Sequence, residues 1–305
     1  MESPIPVGAL ADGGGPVAPA VRARAADFVQ LTKPRLNALA VATTLGGFYM
    51  AGGDASDPAL LFHTIVGTAL VAGGSAAFNQ YYERVTDGLM RRTRVRPLPG
   101  GRMAPSDAAW FGALLSLAGV LQLALGANLL AAAVAIVTHV AYTTVYTPLK
   151  RRSPFSTVVG AIPGALPPLI GWAAVRGSLE PVAWVLFAIG FLWQMPHFLA
   201  IAWLYRADYE RAGFPMLPVI EPDGRSTGRQ AVAYAAALVP VSMAPTALGL
   251  SGAVYFGAAF ALSAAFLVLA LRFAATRSTS NARWLFFASI LYLPILWAMM
   301  IADKA

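Results

Sequence analysis

Residues 79 to 96 read NQYYERVTDGLMRRTRVR, a run of amide, carboxylate and guanidinium groups following an otherwise apolar stretch. Asn79, Glu83 and Asp87 stand four residues apart, and at about 100° per helical residue that spacing keeps all three on one face. An amide oxygen and two carboxylates in a column suit Mg²⁺. This hard cation takes one or two carboxylates, keeps some of its water and shares its other positions with phosphate oxygens of a substrate. The arginines at 91, 92, 94, 96 and 102 supply forked donors for the same anion. The spacing fits equally a solvated helix end followed by arginines on the positive side of a membrane, and spacing alone does not choose.

The elements that must position these residues follow from composition. The 305 residues are 58% hydrophobic and 12% charged, with a mean hydropathy of +0.63. Soluble domains carry about 25% charged residues, so the chain reads as an all-α polytopic membrane protein. Cysteine is absent, which excludes disulfides, thiolate metal sites, CxxCH haem attachment and cysteine nucleophiles. Residues 1–26 are rich in Gly, Pro and Ala, lack the pattern of a signal peptide, and read as a disordered cytoplasmic tail. Residues 27–305 form one membrane domain. Nine segments are long and apolar enough to span: 36–52, 60–82, 107–126, 128–147, 155–175, 182–205, 229–249, 251–273 and 283–302. Their length and uniform apolarity favour helices over barrel strands.

Every Lys and Arg except Arg176 and Lys304 falls before the first segment or in, or at the edges of, the loops after the second, fourth, sixth and eighth. That asymmetry predicts a cytoplasmic amino terminus, a carboxy terminus outside, and residues 79–105 on the cytoplasmic side. The +8 net charge is therefore a topology signal. It does not imply nucleic-acid binding, since the basic residues hug span ends and no basic soluble domain exists. TKPR (32–35) precedes the first segment, TPLKR (147–151) precedes the fifth, and acidic stretches follow the second and sixth. The pattern suggests two four-helix units with a ninth helix added, their acidic ends both cytoplasmic; topology alone would also repeat basic motifs in this way.

Of three histidines, His197 lies within WQMPH (193–197), where Pro196 removes a backbone donor and disturbs the sixth segment. A histidine within a membrane helix is either functional or an interhelical hydrogen-bonding group. His139 and His63 read as structural. GAIPGALPP (160–168) reads as a kink with close packing.

The string from Asn79 to Leu98 resembles the first diphosphate-binding motif of the UbiA-type intramembrane prenyltransferases, and most closely that of their protohaem IX farnesyltransferase (haem O synthase) branch, with Glu83 in the middle position and the RTxxRPL pattern over residues 92–98. LTKPRLNALAVATTLGGF (31–48), YTPLKRRSPFSTVVGAIPGALPPLIGW (146–172), WQMPHFLAIAW (193–203) and DYERAGFPMLPV (208–219) resemble further family segments. The resemblance implies a nine-helix intramembrane prenyltransferase bundle in the bacterial inner membrane. Its substrates would be farnesyl diphosphate and haem B, its cofactor Mg²⁺, and a haem A synthase a partner.

Site roles implied by the resemblance follow. Mg²⁺ would sit on Asn79, Glu83 and Asp87, with Asp208 of the second acidic motif as a further ligand. Arg92, Arg96, Lys150 and Arg151 would stabilise the departing diphosphate, and His197 would contact the haem. Asp208 is flanked at spacings of four by Leu204 and Ala212, so a second two-carboxylate site is in doubt. The rivals are a related prenyltransferase with an aromatic or chlorin acceptor, and a transporter. Charge clustered at one face, instead of along span centres, argues against the transporter.

Overall fold

A computed structural model describes residues 24–53 and 56–305. Most of the tail expected over residues 1–26 lies outside the described residues, but Ala25 and Ala26 already belong to the first helix, α1 (Ala25–Leu31). The described chain continues through α2 (Pro34–Met50), α3 (Pro58–Leu89) and α4 (Pro105–Gly126). α5 (Leu129–Val140) passes through a π-helical turn (Ala141–Tyr146) into α6 (Thr147–Leu149), followed by α7 (Ser156–Ala165), α8 (Pro167–Arg176) and α9 (Pro181–Leu204). The short α10 (Arg206–Arg211) and α11 (Leu217–Ile220) lead to α12 (Arg225–Ala247), α13 (Ala253–Thr276) and α14 (Thr279–Ala302).

Helix covers each of the nine expected segments. Seven described helical segments are long and apolar enough to cross a membrane, which makes this a multi-pass membrane protein. The two outside that group are α2, which has only 17 residues, and α12, whose first turns carry Arg225, Ser226, Thr227, Arg229 and Gln230. Both pack inside the bundle, α2 against α8 and α12 against α13 and α9. Along α4, Leu114, Leu117, Leu121 and Leu125 are exposed, a stripe at helical spacing of the kind that faces lipid.

Small residues and proline shape the centre of the bundle. Pro167 and Pro168 lack backbone donors, and the helix breaks at Leu166 between α7 and α8. Neighbouring side chains cover this stretch: Thr44 donates to the Pro167 carbonyl at 3.0 Å and Gln194 to the Ala161 carbonyl at 2.9 Å. Pro196 does not break α9, which runs unbroken to Leu204. At Gly171 a methyl group would strike the Thr44 carbonyl, so the backbones of α2 and α8 touch there. Gly171→Ala is therefore expected to cost about 1–3 kcal/mol through overpacking. Gly257, which has open space around it, should accept Ala within about 0.5 kcal/mol. Thermal unfolding of the two variants in detergent checks the contrast, and equal midpoints would refute the contact.

The charges separate by end. Arg176 lies beside Gly52 and Lys304 donates to the Tyr49 carbonyl, so the two exceptional basic residues meet at the carboxy-terminal end of α2. Lys33 stands at the other end of the same helix.

Candidate active site

α3 runs beyond the expected end at residue 82 to Leu89, so Asn79, Glu83 and Asp87 all lie within one continuous helix. All three are buried and line a single cavity of about 1100 Å³. The helix presents them to the protein interior, which removes the solvated-end reading of their spacing.

Each position of the column meets a cation. Lys33 Nζ donates to Asn79 Oδ1 at 2.6 Å, Lys150 Nζ to the two Glu83 oxygens at 3.0 and 3.2 Å, and Arg96 to Asp87 Oδ2 at 2.6 Å. Asn79 Nδ2 donates to Thr147 Oγ1 at 3.2 Å. That contact fixes the amide so that its oxygen turns to Lys33.

Local structure explains how these groups return to α3. After Leu89 the chain turns, and Thr93 donates its hydroxyl to the Asp87 carbonyl at 2.8 Å, capping the helix end. Leu98 and Met103 bury themselves with Leu31, Ala77 and Ala108, anchoring the loop so that Arg96 folds back on Asp87. On the opposite wall, the π-helical turn widens the helix and places Tyr142 and Tyr146 on the cavity, their rings 5.3 Å apart. One turn later Lys150 reaches Glu83.

Lys33 is the residue that sequence reasoning missed, although TKPR was noticed. It adopts the left-handed region at φ 47°, ψ 58°, a costly conformation for a side chain of its size and one that Pro34 restricts further. A lysine also opposes the positive end of the helix it precedes. Those two penalties, legible as K-P at a helix start, were the available signal. Burial pushes the Lys33 ammonium down to about 7, with Arg96 repelling it further. Lys150 is equally enclosed, yet Glu83 outweighs the burial and holds its ammonium above the usual lysine range.

The other expected residues divide. Arg92 lines the cavity with its guanidinium 5.0 Å from the Tyr205 ring. Arg151 is exposed and does not line it. Asp208 also stays off the cavity, because Arg211, one turn along α10, takes its carboxylate at 2.8 Å. The two pre-span basic motifs thus converge on the first acidic motif through Lys33 and Lys150, and Asp208 of the second acidic motif does not line the cavity. What the Asp208 segment supplies instead is cover: Tyr209 and Met216 line the cavity, and Phe214 lies under Lys150, 4.7 Å from Nζ to the ring centre.

The column fits a hard divalent cation. Its donors are oxygens, and Asp87 Oδ1 is buried without a hydrogen-bond partner. Among the described residues no three His, Asp or Glu side chains gather into a metal cage, so an ion held on this column would need water and substrate oxygens to complete its shell. The same cavity is lined by Trp193, Gln194 and His197 of α9 and by Leu293 and Trp297 of α14. His139 does not line it, and its Nδ1 lies 2.8 Å from the Ser75 hydroxyl. His63 packs against Gly126.

A polar, cation-rich end opening on a long apolar cavity inside a helical bundle is the layout of an intramembrane prenyltransferase, and residues 40–302 match the model of the UbiA prenyltransferase family. The chain belongs to that family and is a prenyltransferase. It is 48% identical to the "Protoheme IX farnesyltransferase" of Solibacter usitatus, covering 91% of this chain and 98% of that one. With the protein of that name from Koribacter versatilis it shares 43% identity over 94% and 96% of the two chains. Among solved structures, a digeranylgeranylglyceryl phosphate synthase superposes with a TM-score of 0.76 at 16% identity, covering 91% of this chain and 97% of that chain. A UbiA homologue from Archaeoglobus fulgidus bound to DMAPP and Mg²⁺ gives 0.62 at 15% identity, over 90% and 99%. These two likenesses establish the fold.

Proposed function

We propose that the protein transfers the farnesyl group of farnesyl diphosphate to a vinyl group of protohaem IX (haem B), with addition of water, giving haem O and diphosphate. The observation that carries this reading is the cavity itself: one continuous space joins the charged column at Asn79, Glu83 and Asp87 to the histidine and aromatic wall at His197. The names of the relatives at 43–48% identity supply the acceptor.

Lys33, Arg92, Arg96 and Lys150 bind the diphosphate, trading their present contacts for its oxygens and stabilising the charge that grows as the allylic C–O bond breaks. Asn79, Glu83 and Asp87 would hold Mg²⁺, which when bound neutralises diphosphate charge. The apolar wall keeps bulk water from the farnesyl cation. The haem vinyl group attacks that cation, water captures the resulting cation beside the porphyrin ring and loses a proton, and the product carries a hydroxyethylfarnesyl chain. The protein sits in the bacterial cytoplasmic membrane with its amino terminus and the charged cavity end on the cytoplasmic side. The cavity is lined by Lys33, Arg92, Arg96 and Lys150, whereas Arg176 and Lys304 are the two basic residues that lie at the other end of α2, an imbalance that supports that orientation.

Purified protein given farnesyl diphosphate, Mg²⁺ and haem B should form a haem of higher mass and release diphosphate. Turnover only with an aromatic or chlorin acceptor would refute the haem assignment. His197→Ala should weaken haem use by about tenfold while leaving farnesyl diphosphate binding within about twofold, a split between the two substrates' kinetic constants. Unchanged haem kinetics would remove His197 from the acceptor site.

A further inference from the structure

His197 is held by contacts that the diphosphate chemistry does not use. Its Nδ1 lies 2.7 Å from Ser289 Oγ on α14. The Ser289 hydroxyl has one proton and donates it to the Phe286 carbonyl within its own helix. Its oxygen is then left to accept, so the imidazole proton sits on Nδ1 and the lone pair on Nε2.

The ring is also fixed in orientation. Trp193 covers one side at 5.5 Å and 21°, and Phe286 stacks at 5.1 Å and 27°. The Trp193 indole in turn donates to the Ser289 carbonyl at 2.8 Å, which ties the stack to α14. With Nδ1 bound and two aromatic rings stacked on the imidazole, Nε2 is the ring nitrogen left free for the cavity that His197 lines.

His139 provides a comparison within the same molecule. Its Nδ1 lies 2.8 Å from Ser75 Oγ, and Ser75 donates to the Val71 carbonyl at 2.8 Å, so the same tautomer follows. His139 does not line the cavity. The serine-on-helix device therefore serves both histidines, and only one of them opens onto substrate space.

We infer that Ser289 is a positioning residue that locks His197 as the Nδ1–H tautomer, so that Nε2 binds the iron of the acceptor as an axial ligand. This rests on haem being the acceptor and deepens that reading. An imidazole that ligates a metal needs its free lone pair on one nitrogen and a partner for the proton on the other, and losing that partner costs about 10- to 100-fold in metal affinity. An axial bond would set the height and tilt of the porphyrin in the cavity, leaving rotation about the iron–nitrogen axis to bring a vinyl group toward the prenyl chain.

The test titrates the full-length protein in detergent with haem B and, separately, with metal-free protoporphyrin IX. Ser289→Ala keeps the backbone carbonyl that holds Trp193, so the stack survives. It should weaken haem B binding by about tenfold and shift the Soret band, with metal-free porphyrin affinity unchanged. Ser289→Thr keeps the hydroxyl and should retain the wild-type spectrum, as should His139→Gln. Equal weakening of both porphyrins in Ser289→Ala would reduce Ser289 to packing and overturn the inference, as would an unaltered haem spectrum and affinity. Failure of the wild-type protein to bind haem B would instead overturn the acceptor assignment on which the inference stands.

Discussion

Glu83→Gln and Asp87→Asn are each expected to abolish Mg²⁺-dependent binding of farnesyl diphosphate and to lower turnover by about 10³-fold, the upper range for removing one fixed electrostatic contact. The amides preserve shape and much of the hydrogen bonding while deleting one negative charge. The deleted charge matters twice. It is a metal donor, and the buried carboxylate also balances a half-buried cation: Lys150 for Glu83 and Arg96 for Asp87. Removing one member of a buried pair costs about 3–5 kcal/mol, so thermal midpoints must be measured beside activity and binding scored on the folded fraction. Glu83→Asp keeps the charge and shortens the reach, and raising Mg²⁺ should partly restore it while leaving Glu83→Gln inactive. Product formation against Mg²⁺ concentration reads all three variants. Wild-type rates in Glu83→Gln and Asp87→Asn would exclude the column from catalysis.

The parts of this site that were legible in the sequence are those carried by spacing along one helix. Asn79, Glu83 and Asp87 were readable because four-residue steps fix a common face whatever packs against it. The apolar run ends at residue 82 while α3 stays helical to Leu89, because the polar continuation lies on the helical face that the spacing predicts and lines a protein cavity. GAIPGALPP announced its break, since proline removes donors wherever it stands. Pro196 sounded the same warning, and α9 absorbed it.

Partnership across the fold was not legible. Lys33 meets Asn79 across 46 residues of sequence, and Ser289 meets His197 across 92. No local pattern encodes either pairing, and Ser289 reads as one small residue in an apolar span. Asp208 shows the reverse failure. An acidic motif at the matching place in the second half suggested a second ligand site, but Arg211 lies three residues away and satisfies the carboxylate locally. The pseudo-repeat was thus a sound guide to where the basic residues stand and a poor one to what they touch.

Lys33 should give the enzyme a pH dependence that its neighbours cannot. In the free protein burial holds its ammonium near 7, with Arg96 adding repulsion. Diphosphate placed beside it would favour the charged form, raising that value in the complex. Binding therefore takes up a proton at any pH above about 7 and below the raised value, and affinity falls through that window by at most about tenfold per pH unit. Below about 7 Lys33 is charged in both states and contributes no slope. Ionisation of the diphosphate itself runs the other way, so the measurement is a ratio: farnesyl diphosphate affinity of wild type over that of Lys33→Arg, whose guanidinium stays charged throughout. That ratio should be flat near pH 6 and decline from about pH 7 to about pH 9. Lys33→Met removes the charge altogether and should lower kcat/KM for farnesyl diphosphate by about 100-fold. A pH-independent ratio, together with near-normal kcat/KM in Lys33→Met, would mean that the strained turn at Lys33 serves only to start α2.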